Sequence, residues 1–124
     1  MIIKICGITS IEMAKVAEEA GANMIGFVFA SSSRKIAPEK AREIADALSP
    51  TVKMVGVFVN ESKKEIERIA NFVNLDFIQL HGDEAPDFAA SLSRPVIKAF
   101  TIDDVTDEML ATYPARYFLI DSPG

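Results

Sequence analysis

Two residues with transferable protons each close an apolar run of this chain. Cys6 follows Met1-Ile2-Ile3-Lys4-Ile5 just before Gly7, and Asp121 follows Tyr117-Phe118-Leu119-Ile120. A thiolate can remove a proton from carbon, and a carboxyl group kept protonated near neutral pH can donate one. Placed at the carboxyl ends of two parallel strands, where α/β enzymes carry out their chemistry, they would form an acid–base pair. Spacing alone leaves plainer readings open. By spacing alone Cys6 reads as a small buried hydrophobe before it reads as a base, and Asp121 reads equally as a helix cap or loop anchor. Arg34, among Ser31, Ser32, Ser33 and Lys35, reads as a solvated loop cation. His81 is the sole histidine, a residue type that titrates near neutrality, yet His81-Gly82 reads as a turn, which favours a lining or structural role. Asn60, Gln79 and Lys98 are polar groups near strand ends whose roles the sequence leaves open.

The elements that must position these groups follow from hydrophobic periodicity. Six apolar runs, Ile2 to Cys6, Met24 to Phe29, Lys53 to Val59, Asp76 to Leu80, Pro95 to Phe100 and Tyr117 to Asp121, read as strands. They lack strict alternation, as expected of a parallel sheet covered on both faces. Between them the spacing i, i+3, i+4, i+7 recurs: Met13, Val16, Ala17, Ala20; Ala41, Ile44, Ala45, Leu48; Ile66, Ile69, Ala70, Val73; and Ala85, Phe88, Ala89, Leu92. Each predicts an amphipathic helix with that stripe on the sheet; Met109, Leu110 and Tyr113 mark a shorter fifth. Thr9-x-x-Glu12 and Ser62-x-x-Glu65 fit capping boxes. Pro38 and Pro86 fall in first turns, and Gly21 fits a helix exit. The expected order is six strands alternating with five helices in one α/β domain over residues 1–124, without linker or low-complexity tract.

The 124 residues are 49% hydrophobic and 25% charged, which suits a compact domain with a real core. A net charge of −5 disfavours a nucleic-acid partner, which calls for a concentrated basic patch. The lone cysteine can form no internal disulfide, and the amino terminus has no signal-peptide pattern, so a reducing, cytoplasmic setting is expected. The longest apolar stretch, Met24 to Ala30, falls far short of the roughly 20 residues of a membrane span.

Taken strand end by strand end, Lys4-Ile5-Cys6-Gly7-Ile8-Thr9, Gly26-Phe27-Val28-Phe29, Ser33-Arg34-Lys35-Ile36-Ala37-Pro38, Val55-Gly56-Val57-Phe58-Val59-Asn60, Gln79-Leu80-His81-Gly82 and Leu119-Ile120-Asp121 resemble the phosphoribosylanthranilate isomerase family. Each string is weak; six in order, each at its strand, are specific. The resemblance implies a (β/α)8 TIM barrel of which the chain carries β1 to β6. It also implies an Amadori rearrangement of a phosphoribosylated anthranilate in tryptophan biosynthesis, without metal or organic cofactor. It assigns the base to Cys6, the acid to Asp121, the grip on the anthranilate carboxylate to Arg34, and a place beside the substrate to His81. Lys4, two positions before Cys6 and on the same strand face, is a candidate charge partner for a thiolate.

The implied partner is a small phosphorylated substrate, in a monomer or homodimer. Family members run to about 200 residues with a phosphate site in the loops after strands 7 and 8, and no Gly-rich phosphate loop occurs in these 124 residues. A polypeptide of these residues alone is therefore expected to be inactive, with open sheet edges at β1 and β6, until a complementing C-terminal segment is supplied. Three other readings compete. A flavodoxin-like receiver would need carboxylates after β1 and an Asp ending β3, where Cys6-Gly7 and Asn60 stand. A barrel aldolase would need a Schiff-base lysine, for which Lys98 is the candidate. A non-catalytic assembly fragment is the third.

Overall fold

The computed structural model describes residues 1–121. Six strands alternate with five helices: β1 Lys4–Cys6, α1 Ile11–Glu19, β2 Met24–Val28, α2 Pro38–Asp46, β3 Lys53–Phe58, α3 Lys63–Val73, β4 Phe77–Leu80, α4 Pro86–Ala90, β5 Val96–Thr101, α5 Asp107–Thr112 and β6 Tyr117–Asp121. All strand pairs are parallel and neighbours follow chain order from β1 to β6. A doubly wound receiver requires the strand order to reverse so that helices cover both faces. No reversal occurs here, and residues from α1 to α4 share one core cluster with one side of the sheet. The flavodoxin-like alternative is thereby excluded.

Parallel strands with helices on one side give the sheet two different apolar faces. Ile25, Phe27, Met54, Phe58, Ile78, Leu80, Val96 and Phe100 pack against Ala14, Ala17, Ala41, Ile44, Ile66, Ile69, Ala70, Val73 and Ala89 of the helices. Met24, Val55, Phe77 and Ile97, joined by Tyr117 and Leu119, form a second cluster on the other face, which is the inner one. Phe27, Ile44, Ile66 and Ile78 are wholly buried, each stabilising the fold by about 1.5–3 kcal/mol relative to exposure.

The helix starts agree with expectation at Ser62, whose hydroxyl accepts from Glu65 N at 3.2 Å, and at Pro38 and Pro86 in first turns. The capping box is only half made, because the Glu65 carboxylate turns to Arg68 and Ser62 N donates to Glu61. Gly21 (φ +94°) follows the C-cap of α1 as expected.

Two expectations for α1 are corrected together. Its cap is Ser10, not Thr9, with Met13 N donating to Ser10 Oγ at 3.1 Å. Its buried residues are Ala14 and Ala17, while Met13 and Val16 are 43% and 67% exposed. Ile8 is buried and its N–H is tied to Gly26 O, so Thr9 is spent on leaving the strand end and the helical frame starts one residue later. Small alanines then let α1 approach the sheet closely. Similarly, Ala85 is exposed as the N-cap of α4 and Leu110 is 39% exposed, leaving Phe88, Ala89, Leu92, Met109 and Tyr113 as the packing residues.

Candidate functional site

Cys6 ends β1 directly opposite Gly26 of β2. The strand cannot continue, because Gly7 takes φ +82°, a conformation that side chains other than glycine's rarely adopt. The N–H groups of Gly7 and Ile8 then both donate to Gly26 O, at 3.0 and 3.1 Å. This clamp fixes the half-buried Cys6 at the sheet's end. The thiol lies over Gly26, where an added Cβ would come within 2.9 Å of Sγ.

Arg34 is brought to the same place by the loop after β2. The chain leaves Val28, turns at Ser32, whose Oγ accepts from Arg34 N at 3.1 Å, and returns so that Lys35 bridges Val28 and Ile36 N donates to Val28 O. The exposed Arg34 side chain crosses Gly7 so closely that an added Cβ there would sit 2.6 Å from Cδ and Nη1. Two glycines thus seat a thiol and a guanidinium at the same end of the sheet: Gly26 makes room for the first and Gly7 for the second. Lys4 lies on the strand face of Cys6, paired with Met24, as expected.

His81 stands at the end of β4, with its N–H donating to Phe58 O at 3.0 Å. It is exposed at the rim of a hollow of about 860 Å³ whose lining includes Asn60, Glu84, Lys98, Thr101 and Tyr113. Its Nδ1 lies 3.4 Å from Gln79 Nε2. Gln79, wholly buried on the inner face, has its Oε1 unpartnered. Cys6 and Arg34 are not among the residues lining that hollow. Asp121 closes β6 beside Thr101 of β5, and its side chain lies outside what the structure describes.

Lys98 is the correction with chemical weight. It alternates with Ile97 and Ala99, so it lies on the helix-facing side of β5, not on the inner face. Its ammonium donates to Gly82 O at 2.6 Å and to Glu84 Oε1 at 3.0 Å, with both side chains 3% exposed. A buried, ion-paired ammonium is not the free amine that a Schiff base needs. Glu84, absent from the sequence reading, also accepts from Gly82 N at 2.9 Å and Asn60 N at 2.8 Å. Burial works to raise its pKa, but the Asn60 N–H and the Lys98 ammonium outweigh this and hold the carboxyl below its ordinary value. Tyr113 donates its hydroxyl to Glu84 O at 2.9 Å. Burial, and then the Glu84 charge, push its phenol up to about 12. Lys98 and Asn60 stand out in the sequence as polar groups near strand ends, but Glu84, three positions past His81, resembles any loop carboxylate. Among the described residues no group of three or more His, Cys, Asp or Glu side chains could hold a metal ion, and no helix is long and apolar enough to cross a membrane.

This arrangement can be compared with known proteins. The family model described as N-(5'-phosphoribosyl)anthranilate (PRA) isomerase matches residues 3–124. The curated N-(5'-phosphoribosyl)anthranilate isomerase of Oceanobacillus iheyensis is 47% identical over 99% of this chain and 60% of its own length. The crystal structure of phosphoribosyl anthranilate isomerase from Thermus thermophilus superposes with a TM-score of 0.92 at 44% identity, covering 98% of this chain and 62% of that one. Another, a phosphoribosyl anthranilate isomerase in complex with reduced 1-(o-carboxyphenylamino)-1-deoxyribulose 5-phosphate, gives 0.88 at 40% identity, covering 99% and 66%. The chain therefore spans about 60% of the length of the curated relatives it matches. With its sequential parallel sheet and the thiol and guanidinium seated on paired glycines, it belongs to the N-(5'-phosphoribosyl)anthranilate isomerase family.

Proposed function

We propose that the protein isomerises N-(5'-phosphoribosyl)anthranilate to 1-(o-carboxyphenylamino)-1-deoxyribulose 5-phosphate. The observation that carries this reading is the placement of Cys6 against Gly26 and of Arg34 against Gly7, the residue after Cys6, at one end of the sheet. A planar guanidinium can grip the anthranilate carboxylate through two parallel hydrogen bonds. The relative that holds a reduced product supports the same substrate.

In this mechanism Asp121 gives its proton to the furanose ring oxygen. The bond from that oxygen to C1' breaks as the anilino nitrogen lone pair forms the C1'–N double bond. The Cys6 thiolate takes the C2' proton, and the released electron pair neutralises the iminium to an enolamine. The enolamine then gains a proton at C1' as the 2'-hydroxyl loses one, leaving the ketose. Asp121 must stay protonated near neutrality, which desolvation or the substrate's own negative charge can enforce. His81 lines the substrate space without entering the proton transfers.

The test is chromatographic conversion of the aldose amine to the ketose by the complete protein. Cys6→Ser and Asp121→Asn should each lower kcat about a hundredfold or more while leaving the folded structure in place. A loss of less than about tenfold from either removes that residue from its role. Absence of conversion by the unmodified complete protein refutes the function.

A further inference from the structure

The polar cluster built on Glu84 and Lys98 has no hydrogen bond to Cys6 or Arg34 among the described residues. The hydrogen bonds of the Glu84 carboxylate and the Lys98 ammonium run to the backbone of the strand ends and to each other, and the ammonium also lies 5.5 Å and 5.6 Å from the ring centres of Phe100 and Tyr113. Both main-chain polar groups of Gly82, the residue after His81, are taken: its N–H by Glu84 Oε1 and its C=O by the Lys98 ammonium. The second Glu84 oxygen takes Asn60 N at the end of β3, where the backbone adopts φ +50°. Asn60 Oδ1 returns to accept from Asp83 N at 2.8 Å, and packs so close that a Cβ on Gly82 would meet it at 2.6 Å. Tyr113 carries the network to the end of α5.

A buried ion pair is an expensive way to gain stability, because desolvation consumes most of the attraction, and apolar replacements of like volume often match it. What it does well is hold geometry, since each charge demands its partners. At the opposite, amino-terminal rim of the sheet the comparable staples are Arg94 Nε to Leu75 O, and Asp76 Oδ2 from Met54 N. The sequestered pair stands at the carboxyl rim, beneath His81.

We infer that Glu84 and Lys98 are positioning residues, which hold the β3 and β4 strand ends and, through Gly82, the His81 imidazole in register with the substrate, without touching the substrate themselves. The kinetic part of this inference rests on the proposed function; the geometric part does not.

The sole histidine gives a single imidazole spin system, so NMR of the 15N-labelled chain reads His81 directly. In Glu84→Gln the His81 imidazole signals should shift, and the Asn60 and Gly82 amides should exchange about tenfold faster or more, the effect of losing a hydrogen bond to a charged group. Asp76→Asn at the amino-terminal rim should leave these signals in place. In the complete protein Glu84→Gln should lower kcat by roughly tenfold to a hundredfold, with a smaller change in KM. It should cost less than about twofold further in a His81→Asn background, because the two act through one group. Unmoved His81 signals, or fully additive kinetic losses, overturn the inference. If Glu84→Gln fails to fold, the double variant Glu84→Leu/Lys98→Met, which leaves no unpaired charge, takes its place; retained stability with shifted His81 signals supports the inference, and unchanged signals overturn it. A complete protein without isomerase activity refutes the proposed function and leaves the NMR comparison to decide the positioning role.

Discussion

Gly26→Ala isolates the placement of Cys6 from everything else in the site. The new Cβ would come within 2.9 Å of Sγ, 3.3 Å of Cys6 Cα and 3.4 Å of Cys6 Cβ. Ordinary contact begins near 3.4 Å and extends to 4 Å, so the sulfur must give way by about 0.5–1.1 Å, whereas the backbone approach is only tight. One atom at the end of a short side chain can yield by rotation, so the sheet should survive. Removing a glycine from a strand interior also favours folding by roughly 0.5–1 kcal/mol, which opposes the residual crowding. A displacement on the order of 1 Å at a reacting group costs up to about a hundredfold in rate. The expected result is therefore a kcat lowered roughly tenfold to a hundredfold, with a melting temperature within a few degrees of the parent. Because Cys6 is the only cysteine of these 124 residues, its reaction with a chromogenic disulfide in the 124-residue chain should change in parallel and reports the thiol without substrate. A kcat within threefold of the parent, in a folded variant whose thiol reactivity has changed, would refute the requirement for this thiol position. Unchanged thiol reactivity would refute the crowding itself.

The remaining predictions concern stability. Ser10→Ala should destabilise the protein by about 1 kcal/mol through loss of the α1 cap, and Thr9→Ala by much less, as read by urea unfolding; the reverse order would restore the Thr9 capping box. Folding favours the neutral Tyr113 phenol, so its contribution is complete below pH 10 and declines as pH rises toward about 12. The two-unit interval corresponds to roughly 2–3 kcal/mol, and Tyr113→Phe should remove that part of the alkaline loss; equal slopes for variant and parent would refute the assignment. Folding also favours ionised Glu84, so its contribution is present above pH 4.5, the ordinary value for the group, and is lost as pH falls through the lower folded value. Unfolding free energies at pH 6 and at successively lower pH should converge for the parent and Glu84→Gln, and a constant gap would exclude Glu84 as the linked group.

The order of elements and most of the helix stripes were legible because burial imposes its period directly on side-chain choice. In α3 every expected stripe residue, Ile66, Ile69, Ala70 and Val73, is buried, and in α2 Ala41 and Ile44 are buried as well. The α1 frame was misread by one residue because adjacent hydroxyls, Thr9 and Ser10, offer the same capping chemistry, and Met13 and Val16 compete with alanines for the apolar stripe. The choice between them is made by Ile8, whose burial and bond to Gly26 O hold the chain back before the helix can start. That is a long-range constraint, and no local pattern contains it.

Candidate site residues divide along a different line. A side chain at a strand end, such as Cys6, inherits its placement from the strand, so a periodic reading finds it. Arg34 does not: nothing local distinguishes it from a solvated cation, and only the return of its loop to bridge Val28 carries it across Gly7. Lys98 shows how parity fails. In an alternating strand, polarity would tell which face a residue occupies, but Val96, Ile97, Ala99 and Phe100 are all buried, so the sequence could not say whether Lys98 faced the helices or the inner surface. Its helix-facing position is stable only because Glu84, fourteen residues earlier, folds back over the rim to meet it. A side chain carried by a strand end can be found from the strand's period, which narrows the search; residues that hold those strand ends can sit on either face and in any loop. The positioning shell is therefore the part of such a site that needs coordinates, and Glu84 with Lys98 is where this chain concentrates it.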